Sequence, residues 1–143
     1  MVRITKSRVI KVPRDRVFQY WIDGSKGVEW FPDRFLSWKV LSQEGNVRTV
    51  ESEERWLGRR FKHVDREVLT PPERVEGETV SGSGKGSKST TTLTNVPGGT
   101  KMELAFEAKG AFASILGPLF RKRMEREVDL ILDGFKKNIE AAK

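Results

Sequence analysis

The stretch FRKRMEREVDLILDGFKKNIEAA, residues 120–142, decides the fold because its apolar residues recur at the spacing of one helix face. The pattern predicts a long helix within residues 111–143, and Pro118 suits a first helical turn. Such an amphipathic helix is only marginally stable alone, so the rest of the chain must cover its apolar stripe. That stripe comprises Phe120, Met124, Val128, Ile131, Leu132, Phe135, Ile139 and Ala142.

Upstream of this helix, alternating apolar and polar residues predict strands. The first strand is predicted over residues 2–12, and two short helices follow it, beginning at Arg14 and Lys26. Six further strand patterns lie between Leu36 and Lys109, separated by turns such as Pro97-Gly98-Gly99. The Gly/Ser-rich residues 81–89 are typical of a long hairpin tip or a weakly ordered edge.

Together these elements predict an α+β fold in a single domain over residues 1–143. A curved antiparallel β-sheet of about seven strands would wrap around the long C-terminal helix, with two short helices after the first strand. The first strand can pair with the last and close the sheet around a concave side. The long helix would cover that side and leave a space wherever side chains do not fill it.

Composition narrows the classes of function. The formal net charge is +7, but the charges are dispersed and no recognition-helix or zinc-spacing pattern accompanies them, so we do not expect nucleic-acid binding. The absence of cysteine excludes disulfide and thiolate chemistry. With no run of eighteen apolar residues and no apolar leader, a cytoplasmic protein is expected. Abundant charged residues and scarce Asn and Gln are typical of a thermophilic source.

Several local features follow one another in a characteristic order. They are residues 12–18 after the first strand, the Trp30-Phe31-Pro32 break, the interruption at residues 70–75, the turn at residues 97–100 and the terminal helix. In this order the chain resembles the START-like, or helix-grip, superfamily, whose type member is the major birch-pollen allergen. The resemblance is closest to the polyketide cyclase/dehydrase and lipid-transport branch. It implies a hydrophobic cavity under the helix, and members of the superfamily include lipid binders, quinone-binding proteins and aromatase/cyclases.

Three groups of apolar residues are candidates for lining this cavity. Each has an alternative: the aromatic group can fill the core, and the residues at the start of the helix can pack on the last strand. Near Lys122 and Arg123, that start could also contact a membrane surface transiently. The candidates are Trp30, Phe31, Phe35 and Trp38 before and in the second strand, Met102, Leu104 and Phe106 in the last strand, and Phe112, Ile115, Leu116, Leu119, Phe120 and Met124 in the tail.

The only histidine, His63, is a candidate for both ligand binding and acid/base chemistry, with Asp65 two residues away. The alternation of Val64 with Val68 favours the opposite orientation, in which His63 lies on the exposed face. At least one residue of the group Glu51, Glu53 and Glu54 could also point inwards, and Glu51 is the second catalytic candidate. Such residues more often pair across strands with basic partners such as Arg59, Arg60 or Lys62.

These observations rank three functions. The first is binding or transport of a hydrophobic small molecule such as a lipid, isoprenoid, quinone or polyketide. The second is a cyclase/dehydrase-type enzyme that uses an inward His or Glu as acid/base. The third is an interaction protein that uses its basic surface. A single histidine without a carboxylate cluster is a poor metal site, so we expect neither a metal nor a cofactor.

Overall fold

The computed structural model describes residues 2–56, 58–109 and 119–142, and these form seven strands and three helices. The first strand, two short helices, six further strands and one long helix follow in the predicted order. Their bounds are β1 (Val2–Ile10), α1 (Arg14–Ile22), α2 (Gly24–Trp30), β2 (Phe35–Glu44), β3 (Val47–Trp56), β4 (Arg59–Thr70), β5 (Arg74–Gly82), β6 (Lys88–Val96), β7 (Gly99–Ala108) and α3 (Phe120–Ala141).

The strands form one antiparallel sheet in the order β1-β7-β6-β5-β4-β3-β2. The predicted pairing of the first strand with the last is confirmed, from Val2 opposite Ala108 to Ile10 opposite Thr100. The sheet nevertheless stays open, with β1 and β2 as its edges. The expectation that this pairing closes the sheet was therefore wrong: α1 and α2 connect the two edge strands, whereas hairpins join the other strands.

Seven of the eight predicted stripe residues of α3 are buried, from Phe120 to Ile139; the eighth, Ala142, follows the last helical residue and is half-buried. The C-terminal half of α3 packs into a core cluster with Ile10, Phe18 and Met102. On the outer side, the Arg8 guanidinium of β1 donates to the carboxylates of Asp129, at 2.7 Å, and Asp133, at 2.6 Å. The helix is thus held to the edge strand by apolar packing beneath and ion pairs above. The predicted helical residues 111–118 lie outside the described part of the chain.

The pairing between β5 and β6 is short. It runs from Arg74 opposite Thr92 to Glu78 opposite Lys88, whereas β5 continues along β4 as far as Gly82. Beyond Glu78 the chain makes a hairpin tip, in which the backbone N–H of Thr79 donates to Ser87 and that of Gly86 donates to Thr79. Of the two structures proposed for the Gly/Ser segment, the hairpin tip is the one observed.

Candidate ligand-binding cavity

A cavity of about 340 Å³ lies between the inner face of the sheet and α3. Its upper wall comes from the helix and its side wall from α1, α2 and the start of β2. Large apolar and aromatic side chains from these walls and from β3, β4 and β7 make up much of the lining. They are Tyr20, Trp21, Trp30, Phe31, Phe35, Trp38, Trp56, Phe61, Leu104, Phe106, Met124, Val128, Ile131 and Phe135.

All four tryptophans of the chain, Trp21, Trp30, Trp38 and Trp56, line this one cavity. They are held by ring contacts with their neighbours: Trp30 stacks on Tyr20 with centroids 5.6 Å apart, and Trp21 meets Phe135 edge-on at 5.2 Å. Such pairs add to the stabilisation from area burial and fix ring orientation. The aromatic wall is therefore preformed.

Glycines allow these rings to approach the helices closely. A Cβ on Gly24 would overlap the Trp38 ring, and one on Gly27 would lie 3.3 Å from Phe35. On α3, a Cβ on Gly134 would lie 2.5 Å from the Phe31 ring. Two glycines three residues apart on α2 thus present bare backbone to the aromatic residues of β2. This glycine spacing is the sequence signal that could have shown that α2 supports the cavity wall, and sequence reasoning did not use it.

The floor of the cavity is polar. Ser52 and Glu54 of β3 and His63, Asp65 and Glu67 of β4 all face it. On β4, the inward series therefore includes His63, and the expectation that Val64 and Val68 point inwards was wrong. The prediction from the apolar alternation was wrong here because the middle of β4 faces a cavity with a polar lining and not a packed core.

His63 lies between two carboxylates. Its Nε2 is 2.7 Å from Oε2 of Glu54 and its Nδ1 is 3.1 Å from Oδ1 of Asp65. Burial lowers the pKa of His63, but the hydrogen bonds and negative charges of Asp65 and Glu54 outweigh burial and raise it from 6.5 to about 10. The side chain is therefore an imidazolium at neutral pH, with both ring nitrogens donating.

Two further hydrogen bonds complete this part of the floor. Glu54 accepts one from the Ser52 hydroxyl at 3.0 Å and one from Nε1 of Trp56 at 2.8 Å. The Glu54 carboxylate thus joins the polar floor to the aromatic wall. Sequence reasoning did not identify Ser52 or Trp56, because neither has a distinctive signal until β3 and β4 are placed in register.

A second ion pair lies further along the same two strands. The buried Arg48 guanidinium donates to Oε1 of Glu67 at 2.6 Å and to the backbone carbonyl of Ile22 at 2.6 Å, and it stacks over Trp38. Burial raises the pKa of Glu67, although the Arg48 charge and hydrogen bond act in the opposite direction. This pair ties β3 and β4 to the end of α1.

Most residues proposed to line the cavity do so. Trp30, Phe31, Phe35, Trp38, His63, Leu104, Phe106 and Met124 are on its walls or floor. Whether they bind a ligand stays a prediction.

Three other proposed ligand-binding residues do not line the cavity. Met102 is fully buried in the neighbouring core, and Phe120 is fully buried beside Ile4 and Ala108. Leu119 is 62% exposed because it lies just before the first turn of α3, off the buried stripe. The candidates Phe112, Ile115 and Leu116 lie outside the described residues.

The three glutamates of β3 divide between the two faces of the sheet. Glu54 points into the cavity, whereas Glu53 pairs with Arg60 at 2.6 Å, as expected of a cross-strand pair. Glu51 does not line the cavity, because the alternation of the strand gives it the phase opposite to Ser52 and Glu54. Its proposed catalytic role therefore loses its structural basis. Glu54 is the inward carboxylate of the group.

Two kinds of feature are absent from the described residues. No group of three His, Cys, Asp or Glu side chains among them could hold a metal ion. Within the same residues, no helix combines the length and the apolar character needed to cross a membrane.

Comparison with known proteins identifies a protein family that this sequence matches. The sequence profile described as "Polyketide cyclase / dehydrase and lipid transport" matches residues 1–140. No protein among the curated sequences matches the chain.

Solved structures share the fold at low sequence identity. A Thermus thermophilus protein, TTHA0849, superposes with a TM-score of 0.83 at 20% identity, covering 99% of both chains. A START superfamily protein from Mycobacterium smegmatis gives 0.82 at 12%, again over 99% of both. The Zhui aromatase/cyclase from Streptomyces sp. R1128 gives 0.79 at 14%, covering 97% of this chain and 93% of the other. At these identities the likeness concerns the fold alone.

Proposed function

Because this chain belongs to the polyketide cyclase/dehydrase and lipid-transport family, we propose that it binds a hydrophobic small molecule between the sheet and α3. The observation that carries the proposal is the convergence of all four tryptophans on one cavity of about 340 Å³. A core would fill such a space with side chains, because voids between apolar residues forfeit packing energy. Lipids, isoprenoids, quinones and polyketides are the classes of ligand that such a wall suits.

The cavity volume favours a compact ligand. Small-molecule sites span roughly 300–1,000 Å³, so this one is at the lower end of the range. A bicyclic or tricyclic ring system, or a short isoprenoid, fits the space better than a long diacyl lipid. Aromatic rings on several sides would contact both faces of a flat ring system.

The experiment is a titration of the purified protein with a bicyclic probe such as 2-naphthalenemethanol, followed by isothermal titration calorimetry and by tryptophan emission. We expect saturable binding at one site with a change in tryptophan emission. Native mass spectrometry of the protein as purified would reveal a retained ligand. A flat titration with no retained small molecule would contradict the proposal.

A matched pair of variants locates the binding. Ser89 lines the cavity on β6, and Thr90 next to it has the opposite phase and does not line it. Ser89→Phe should fill part of the space and weaken binding of the probe, whereas Thr90→Phe should leave it unchanged. Thermal unfolding of both variants shows whether each is folded. Equal affinity in the two variants would place the probe elsewhere.

A second candidate is a cyclase/dehydrase-type enzyme, favoured by one observation: an imidazole between two carboxylates faces the cavity. With its pKa raised to about 10, His63 is protonated at neutral pH and cannot act as a general base. Both ring nitrogens are hydrogen-bonded to carboxylates, so donating a proton to a ligand would first require breaking one of these contacts. Ligand binding without turnover is therefore the better-supported function. Turnover of a poly-β-ketone that His63→Gln abolishes and Glu51→Gln leaves intact would reverse this order.

A further inference from the structure

The donors that face the carboxylates of the floor, and two indoles of the aromatic wall, are engaged within the protein. Nε1 of Trp21 donates to the Thr91 hydroxyl at 3.1 Å, and Nε1 of Trp56 donates to Glu54. Both ring nitrogens of His63 and the hydroxyl of Ser52 are directed at carboxylates. A ligand that needs a donor from these groups would first have to break an existing hydrogen bond.

Acceptors, by contrast, are left over. Asp65 uses Oδ1 for His63, and Glu67 uses Oε1 for Arg48. Within the described part of the chain, neither Oδ2 of Asp65 nor Oε2 of Glu67 receives a hydrogen bond from a protein group. Both side chains line the cavity, and their two-residue spacing on β4 directs them to the same side. A carboxylate retains capacity for further donors at each free oxygen.

The charges of the floor also favour a ligand that donates hydrogen bonds. The two ion-pair groups, His63 with Glu54 and Asp65 and Arg48 with Glu67, together comprise three carboxylates and two cations. The other charged residues of the lining, Asp23, Lys26, Glu78 and Lys88, include two of each sign. The lining described here therefore has an excess of negative charge. Burial strengthens the effect of that charge because there is less water to screen it.

We propose that the polar end of the ligand is a hydrogen-bond donor, a hydroxyl or an ammonium group that contacts Asp65 and Glu67, and that the cavity rejects carboxylates. This inference rests on the proposed function and specifies the ligand for the same cavity. Aromatic walls hold the apolar body, and the free carboxylate oxygens select the polar group. The selected ligands are alcohols, phenols and amines, and the excluded ones are fatty acids and aromatic acids.

The physical reason is the cost of a mismatch. A hydroxyl or ammonium group forms charge-assisted hydrogen bonds with a carboxylate, and these are the stronger class. A ligand carboxylate would bring a third acceptor against two unpaired ones and lose its own hydration without compensation. One such hydrogen bond, gained by a hydroxyl or ammonium ligand and missing in a carboxylate ligand, corresponds to a difference of about tenfold or more in dissociation constant.

The experiment compares three probes with one apolar body: 2-naphthalenemethanol, 2-naphthalenemethylammonium and 2-naphthoate. Calorimetry at pH 7 gives three dissociation constants. We expect the alcohol and the ammonium probe to bind about tenfold or more tightly than the acid. Asp65→Asn keeps the size of the side chain and replaces a free acceptor with an amide donor. In this variant the advantage of the ammonium probe should shrink and naphthoate should gain affinity.

The control removes a negative charge without touching the cavity. Glu51→Gln lies on the outer face of β3 and should leave the order and spacing of the three affinities unchanged. Thermal unfolding of both variants establishes that each is folded. If naphthoate binds as tightly as the other probes, the proposed preference for a hydrogen-bond donor is wrong and the proposed binding function stands. If no probe binds, both proposals fail.

Discussion

The Nε2 atom of His63 lies 2.7 Å from Oε2 of Glu54, although the two residues are not directly opposite each other in the sheet. Ser52 is the residue opposite His63, and Glu54 is opposite Phe61, so the contact runs diagonally across the strand pair. Asp65 contacts the other side of the ring. One imidazolium thereby links side chains of two neighbouring strands.

The first prediction concerns the titration of His63. Because this is the only histidine, its ring protons can be followed by NMR without ambiguity. We expect a titration midpoint near 10 instead of 6.5, since Asp65 and Glu54 stabilise the charged form more than burial destabilises it. A midpoint between about 6 and 7 would contradict the geometry of the pair, as 6.5 is the ordinary value.

The same shift has a consequence for stability. A pKa that is higher in the folded state stabilises the fold fully below the unfolded value of 6.5 and loses that contribution as the pH rises through about 10. The free energy of unfolding should therefore fall between these pH values. Subtracting the pH profile of His63→Gln, measured by chemical denaturation, isolates this contribution, which should vanish at the alkaline end.

The second prediction separates the two faces of β3. Glu54→Gln removes one of the two carboxylates beside His63 and should lower the pKa of His63, measured by the same NMR titration. Glu53→Gln removes the same charge on the outer face, where Glu53 pairs with Arg60, and should leave the pKa of His63 nearly unchanged. Equal effects of the two variants would mean that general electrostatics, and not the direct contact, sets the pKa.

The third prediction concerns Gly134. In an exposed helix interior, alanine is about 1 kcal/mol more favourable than glycine. Here a Cβ would lie 2.5 Å from the Phe31 ring, so Gly134→Ala should instead lower the free energy of unfolding by about 1–3 kcal/mol. Chemical denaturation measures this change in the free energy of unfolding. In a Phe31→Ala background the same change should become neutral or stabilising, and failure of this double-mutant cycle to show coupling would contradict the contact.

The fourth prediction distinguishes core from cavity on β7. Met102 is fully buried and does not line the cavity, whereas Leu104, two residues on, does. Met102→Ala should cost about 2–5 kcal/mol in the free energy of unfolding and leave the affinity for 2-naphthalenemethanol unchanged. Leu104→Ala should alter that affinity. If Met102→Ala does not fold, the volume-conserving Met102→Leu provides the same comparison, and a larger affinity change at Met102 would contradict the assignment.

Local patterns were sufficient for much of the fold. Turn residues such as Pro97-Gly98-Gly99 punctuate the strands, and the 3.6-residue period of the tail identifies the buried face of α3. They also led to the pairing of β1 with β7. They could not show that the sheet stays open, because that depends on how α1 and α2 bridge β1 and β2 in three dimensions.

The polar floor was harder to predict for a physical reason. Sequence reasoning directs apolar residues inwards, and on β4 this rule selected Val64 and Val68 over His63 and Asp65. The rule assumes that the inner face is packed by side chains, and a cavity lined by paired charges violates it. The aromatic wall was easier, because Trp30 and Phe35 follow the same burial preference whether they face a core or a cavity.

The short pairing between β5 and β6 bears on how a ligand would enter the cavity. Their ladder ends at Glu78 opposite Lys88, and it is the shortest in the described sheet. Beyond this ladder, the two sides of the hairpin tip are joined by the backbone hydrogen bonds from Thr79 to Ser87 and from Gly86 to Thr79. Local opening of a protein requires less free energy where fewer such bonds must break. We therefore expect local opening between β5 and β6, next to Ser83 and Ser87 of the cavity lining, to require less free energy than separation of β1 from β7.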